Sequence, residues 1–130
     1  MDSLNKQNSL THFIVGASRG IGRSLVDQSI QNGHSVTALS RTSPTEPITG
    51  CNWITGNAAE PEAFLDQLPE TINALTFCPG KVILGPIKRI QPEQMLEAYQ
   101  TSVLDAFTLI QALLSRLDGS VVFISSVAPT

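Results

Sequence analysis

Three glycines in the segment Val15-Gly16-Ala17-Ser18-Arg19-Gly20-Ile21-Gly22, spaced G-x-x-x-G-x-G, are the residues of this chain best placed to do chemistry. They stand between an apolar run, Leu10 to Val15, and a segment with helical spacing that starts at Gly20. A turn from strand into helix leaves backbone amides free at the helix start, and the helix dipole adds partial positive charge there. Glycine lets the backbone turn sharply and approach a pyrophosphate closely. The chemistry this implies is the holding of a nucleotide's phosphates at a helix amino terminus. An ordinary strand-to-helix turn is the alternative, and glycines alone would leave it open.

The elements around the motif argue for the nucleotide reading. Leu10 to Val15 reads as a buried strand, and Ile21, Leu25, Val26 and Ile30 recur at helical spacing until Asn32-Gly33 ends the run. Ser35 to Leu39 and Asn52 to Thr55 are further strands, separated by a loop with two prolines between Ser43 and Gly50. Pro61 to Leu68 is expected to be a short helix opened by proline, and Ile72 to Phe77 a fourth strand. After a Pro- and Gly-rich loop from Pro79 to Pro86, Pro92 opens a long helix over 92–117. Its apolar positions run from Met95, Leu96, Tyr99 and Val103 to Leu113, Leu114 and Leu117. Ser120 to Ser125 is the fifth strand. Apolar, non-alternating strands joined by helices imply an α/β fold with a parallel, doubly wound sheet of the Rossmann type, with predicted strand order 3-2-1-4-5.

Composition bounds the rest. The chain has 130 residues, 42% hydrophobic and 15% charged, with a net charge of -3. That suits one globular domain and offers no basic surface for nucleic acid. No apolar run is long enough to span a membrane, and the polar start, MDSLNKQNSL, lacks the apolar core of a secretion signal. The two cysteines, Cys51 and Cys78, have neither close pairing nor metal-ligand spacing, so no metal site is expected and a reduced, cytoplasmic setting is the default. His12 and His34 lack partner motifs and read as structural.

With GASRGIG in this context the sequence resembles the short-chain dehydrogenase/reductase family, from about Leu10 to Thr130. GNAAEPEAF (Gly56 to Phe64) looks like the family's adenine-contacting stretch. FCPG (Phe77 to Gly80) falls where an Asn-Asn-Ala-Gly turn is usual. TSVLDAF (Thr101 to Phe107) is similar to the helix that carries an asparagine, and GSVVFISSV (Gly119 to Val127) to the strand that delivers a serine. The resemblance implies a cofactor site made of Gly16, Ser18, Arg19, Gly20, Ile21, Gly22, Ser40, Arg41, Asn57, Ala58, Cys78, Pro79 and Gly80. It also implies a catalytic Ser126 that hydrogen-bonds the substrate oxygen.

Charge indicates which nicotinamide cofactor. An acidic residue after the second strand would accept hydrogen bonds from a ribose diol and repel a 2'-phosphate. Here Ser40 and Arg41 stand at that point, and Arg19 lies in the glycine loop on the same side. Two planar guanidinium groups favour a phosphate dianion, so NADP(H) is expected over NAD(H).

The sequence also departs from the family pattern. Val15 replaces a threonine, Asn57 an aspartate, and Cys78 and Pro79 an asparagine and an alanine. Ser102 stands at the family's asparagine and Asp105 at a common glycine, which puts the proton relay through Ser102 in doubt. The family's Tyr-x-x-x-Lys acid/base is absent: the one tyrosine, Tyr99, is followed four residues later by Val103, and its place on an apolar helix face points to core packing.

The chain therefore reads as the amino-terminal half of a larger domain, with the Tyr-Lys pair expected beyond Thr130 and little activity expected of these 130 residues alone. The primary function expected is hydride transfer between NADP(H) and a small carbonyl or alcohol substrate, in a homodimer or homotetramer formed through the helix over 92–117. The alternative is a non-catalytic dinucleotide-binding or dimerisation module.

Overall fold

A computed structural model describes residues 9–46, 48–81 and 83–124. Five parallel strands form one sheet: β1 (Thr11–Val15), β2 (Ser35–Ser40), β3 (Cys51–Thr55), β4 (Ile72–Phe77) and β5 (Leu117–Phe123), in the order β3-β2-β1-β4-β5. The predicted order 3-2-1-4-5 and the doubly wound architecture are thus observed. β1 is the central strand, with Phe13 opposite Thr37 of β2 and Leu75 of β4.

Alternation along the strands sends side chains to two separate cores. On one face Phe13, Val15, Leu39, Ile54, Leu75 and Phe77 pack against Ala106, Leu109 and Leu113 of helix α3 (Asp105–Leu113) and against Phe64 and Leu68. On the other face Ile14, Val36 and Ala38 pack under Val26 of helix α1 (Gly20–Gln31). Phe13 and Ile14 are wholly buried, so β1 is sealed on both sides.

One polar group is stitched into the α1 face. His12 of β1 places Nδ1 3.0 Å from Ser29 Oγ of α1 and Nε2 2.8 Å from Thr76 Oγ1 of β4. Burial pushes its pKa below the usual 6.5, and nearby His34 adds a smaller push in the same direction. His34 itself accepts the Leu10 amide through Nδ1 at 3.0 Å.

Three expectations about the helices need correction. Pro61 to Leu68 forms two successive 3-10 turns, Pro61–Ala63 and Leu65–Gln67, from which Phe64 and Leu68 both drop into the core. The helix expected over 92–117 is a composite: α2 (Pro92–Tyr99), a π-helical turn (Gln100–Leu104) and α3. It ends at Leu113, and Leu117 already belongs to β5. Tyr99 is 53% exposed and does not pack in the core. The apolar positions before the widened turn, Met95, Leu96 and Tyr99, are exposed, while after it Ala106, Leu109 and Leu113 are buried and Phe107 and Leu114 stay outward.

β5 starts three residues before the expected Ser120. The pairing steps from Ile72↔Leu117 to Ala74↔Ser120, which places one extra residue on β5. Gly119 sits at that bulge, where an added Cβ would lie 1.9 Å from the Asn73 carbonyl oxygen.

Candidate functional site

The carboxyl ends of β1, β2 and β4 open into a cleft of about 800 Å³. In doubly wound sheets this is where ligands bind. The turn after β1 forms its floor. Gly16 takes a φ of +80°, and Gly22 in the first turn of α1 lies so close beneath it that an added Cβ would sit 2.1 Å from the Gly16 carbonyl oxygen. Only glycine permits that contact, which brings the start of the helix against the end of the strand. The Gly16 and Ala17 amides are both taken by the Leu39 carbonyl, at 2.9 and 3.2 Å. Residue Arg19 precedes α1 with no side-chain cap, and the first turn holds no acidic residue, so the start of the helix faces the cleft with its partial positive charge uncompensated.

Ten of the expected cofactor residues line this cleft: Gly16, Ser18, Arg19, Ile21, Gly22, Ser40, Arg41, Cys78, Pro79 and Gly80. Gly20 opens α1 and is not among the lining residues. Asn57 and Ala58 line a smaller cavity of about 50 Å³, which shares Gly16, Ser40, Arg41 and Pro79 with the cleft. Pro79 closes against the glycine turn, its Cδ 2.9 Å from where a Gly16 Cβ would be. Ser40 is buried and engaged: its hydroxyl donates to the Thr42 carbonyl and accepts the Trp53 indole N–H at 2.8 Å. That network fixes the chain where it leaves β2 and turns the exposed Arg41 toward the cleft.

Ser102 does not line either cavity. Its Oγ accepts the Lys81 amide at 3.3 Å and so ties the helical run to the loop after β4. Lys81 also pairs with Glu97 of α2, an exposed ion pair of small energetic weight. Ser126 lies outside the described residues. Among the described residues no group of three or more His, Cys, Asp or Glu side chains could hold a metal ion. Burial pushes the thiol pKa of Cys78 up, so it is a weak nucleophile despite its place on the cleft.

Sequence reasoning missed several lining residues. Thr42, Ser43, Pro44 and Thr45 after β2, and Arg23 of α1, complete the cleft. Thr101 lines both cavities, and Asp105 lines the smaller one. The signal for the last two was their separation of four residues, which puts them on one helix face. Arg19, Arg23 and Arg41 make the cleft cationic, and no Asp or Glu is among its lining residues. Arg23 shares its charge with Asp27 at 3.4 Å.

Solved structures of similar shape settle the fold. A short chain dehydrogenase family protein from Francisella tularensis superposes with a TM-score of 0.78 at 21% identity, over 91% of this chain and 51% of that one. A carbonyl reductase from Pseudomonas aeruginosa PAO1 gives 0.78 at 30% identity, over 90% of this chain and 59% of that one. This is the short-chain dehydrogenase/reductase fold. A short chain dehydrogenase from Leptospira borgpetersenii with bound NAD+ gives 0.68 at 20% identity, over 79% of this chain and 44% of that one. The Pseudomonas carbonyl reductase has also been solved in complex with NADP. The chain thus spans about half the length of these solved structures. Neither a protein-family model nor a curated protein matches the sequence. Among the described residues no helix is long and apolar enough to cross a membrane.

Proposed function

We propose that the chain is the dinucleotide-binding part of a short-chain oxidoreductase that works with NADP(H) on a small carbonyl or alcohol substrate. The cleft carries this reading: three arginines and an uncapped helix start surround a space with no carboxylate among its lining residues. Such a site suits a polyanion. The close contact between Gly16 and Gly22 supports it further, because it seats the start of α1 directly against the end of β1.

In this reading the turn from Gly16 to Gly22, with Ser18, Gly20 and Ile21, holds the pyrophosphate through backbone amides. Arg19 and Arg41 take the 2'-phosphate next to Ser40. Asn57 and Ala58 flank the base, and Cys78, Pro79 and Gly80 border the cofactor's path along the cleft. When bound, the cofactor exchanges a hydride with the substrate at its nicotinamide ring. Ser126 polarises the substrate oxygen. Ser102 holds the loop from Cys78 to Lys81 in place. The proton donor comes from outside these 130 residues, which contain no Tyr-x-x-x-Lys. The chain folds as a single domain, and its unpaired cysteines, Cys51 and Cys78, support a cytoplasmic setting.

Solved relatives of this fold hold either cofactor, NAD+ or NADP, so the preference rests on the arginines. Titration of the protein encoded by the complete reading frame, followed by nicotinamide fluorescence, tests it. NADPH is expected to bind about tenfold more tightly than NADH, and Arg41→Ala should erase that margin while leaving NADH binding unchanged. Equal binding of both, insensitive to Arg41→Ala, overturns the preference. Binding of neither overturns the nucleotide reading.

A second reading, self-association through the helical run, is supported by its outward face. Met95, Leu96, Tyr99, Val103, Phe107 and Leu114 are all exposed there. A monomeric sedimentation profile of the full-length protein would exclude it.

A further inference from the structure

Asp105 is a charged side chain buried where the fold does not demand one. It opens α3 directly after the π-helical turn and is 5% exposed. Among the described residues its carboxylate has one hydrogen-bond partner, Gln100 Nε2, 2.7 Å from Oδ1. Burying a carboxylate carries a large desolvation penalty, and a single neutral donor offsets only part of it. The second oxygen is not sealed in. Among the described residues no fully buried side-chain polar atom lacks a partner, so Oδ2 keeps access to solvent.

The smaller cavity lies alongside. Asp105 lines it together with Thr101, one helical turn earlier. Val15, Leu39 and Phe77 give it apolar walls, and Gly56, Asn57 and Ala58 close it on the β3 side. Asn57 has its side-chain oxygen occupied, accepting the Ala59 amide at 3.0 Å. Among the described residues lining this cavity, Asp105 is the one carboxylate.

Ser40 and Arg41 line both spaces, so a nucleotide whose phosphates rest on α1 and whose ribose reaches Ser40 brings its base to the mouth of the smaller cavity. Apolar walls with one anionic acceptor at the end fit a heteroaromatic ring bearing an exocyclic amine, whose N–H donates to the carboxylate. We infer that Asp105 reads the amine of the purine, selecting adenine over a 6-oxo purine, and that Gln100 is the positioning residue that aims it. This rests on the nucleotide reading above. A 6-oxo purine would set a carbonyl oxygen where adenine sets a donor, and its nearest N–H is at N1, so the ring would have to shift before the carboxylate could accept from it. Sites built for a hydrogen bond reject such analogues strongly.

The test compares NADPH with reduced nicotinamide hypoxanthine dinucleotide phosphate, which carries a 6-oxo group and an N1 proton in place of the 6-amine. Both are titrated against the full-length protein by nicotinamide fluorescence. The unaltered protein is expected to favour the adenine form by about tenfold or more. Asp105→Asn, whose amide can donate to the 6-oxo group, should bring the ratio to within about twofold of one. A purely structural role for Asp105 would weaken both ligands alike and leave the ratio unchanged. A ratio near one in the unaltered protein overturns the inference, as does a ratio that Asp105→Asn does not move. The first outcome needs no variant to fold. If NADPH itself does not bind, the nucleotide reading falls and the inference with it. If NADPH binds without discrimination, the inference falls alone.

Discussion

β1 and β5 lie in the same parallel sheet and are similarly apolar, yet their surroundings differ. In β1, Phe13 and Ile14 are wholly buried, each under its own helix. In β5, Val121, Val122 and Phe123 are 38%, 47% and 52% exposed. Both strands are well paired through the backbone, β1 on two sides and β5 with β4. The difference lies in cover: among the described residues Phe13 and Ile14 belong to the two buried clusters that include α3 and α1, whereas Leu117 is the one residue of β5 packed against either. Hydrogen bonding arranges a sheet, and burial of its faces stabilises it. The cationic cleft stands at the end of the sealed strand, where the backbone is held firmly enough to present a helix start at a fixed position.

The comparison breaks most visibly if the cover of β1 is lifted. Gly22→Val would drive α1 away from the end of β1, because its Cβ would overlap the Gly16 carbonyl. We expect a loss of about 4 kcal/mol or more in urea unfolding, or no folded protein at all. A folded variant of near-normal stability would mean that α1 does not seal β1. Next in size is a matched pair of truncations. Phe13→Ala should cost about 3–5 kcal/mol. Phe123→Ala, which loses a half-exposed ring and its tilted contact with Phe77 at 6.2 Å, should cost about 1 kcal/mol. Equal losses in the two would show that β5 is covered in the full-length protein.

The smallest effect concerns pH. His12 is held neutral beside β1, with its pKa below the usual 6.5, so the unfolded chain binds more protons in that range. Its contribution to stability is full above about pH 6.5 and fades as the pH falls toward the lower folded value. The urea midpoint should therefore drop between about pH 7 and pH 5, and drop less in His12→Gln. An identical pH profile in the variant would relocate the acid sensitivity to other groups.

The first part of the chain was readable from sequence because its signals agree. The β-branched run of β1, the glycine turn and the helical spacing of α1 each point to the same structure, and the burial of Phe13, Ile14 and Val26 follows from it. The second part was ambiguous for physical reasons. Leu113, Leu114 and Leu117 fit a helical period, and Asp118-Gly119 looks like the end of a helix. Gly119 instead serves a strand bulge against Asn73, a contact set by a partner far away in sequence. The π-helical turn leaves no mark in residue type, so the exposure of Tyr99 could not be foreseen. At the site, the glycine turn and Arg41 were visible as motif and charge. Asp105 was visible only as a departure from a pattern, because its surroundings come from β1, β2, β4 and the segment after β3 together.

The central position of β1 also governs the time order of assembly. Its backbone partner on one side, β2, follows within a few turns of chain, but its partner on the other side, β4, arrives only after β3 and both 3-10 turns. A chain emerging from a ribosome can pair the first two strands early, but must carry the other edge of β1 open until Ile72–Phe77 appears. Parallel pairing across long loops is slow for this reason. The same strand that anchors the finished cleft is therefore an aggregation-prone stretch of the nascent chain, and a chaperone that shields it would raise folding yield without altering the folded protein.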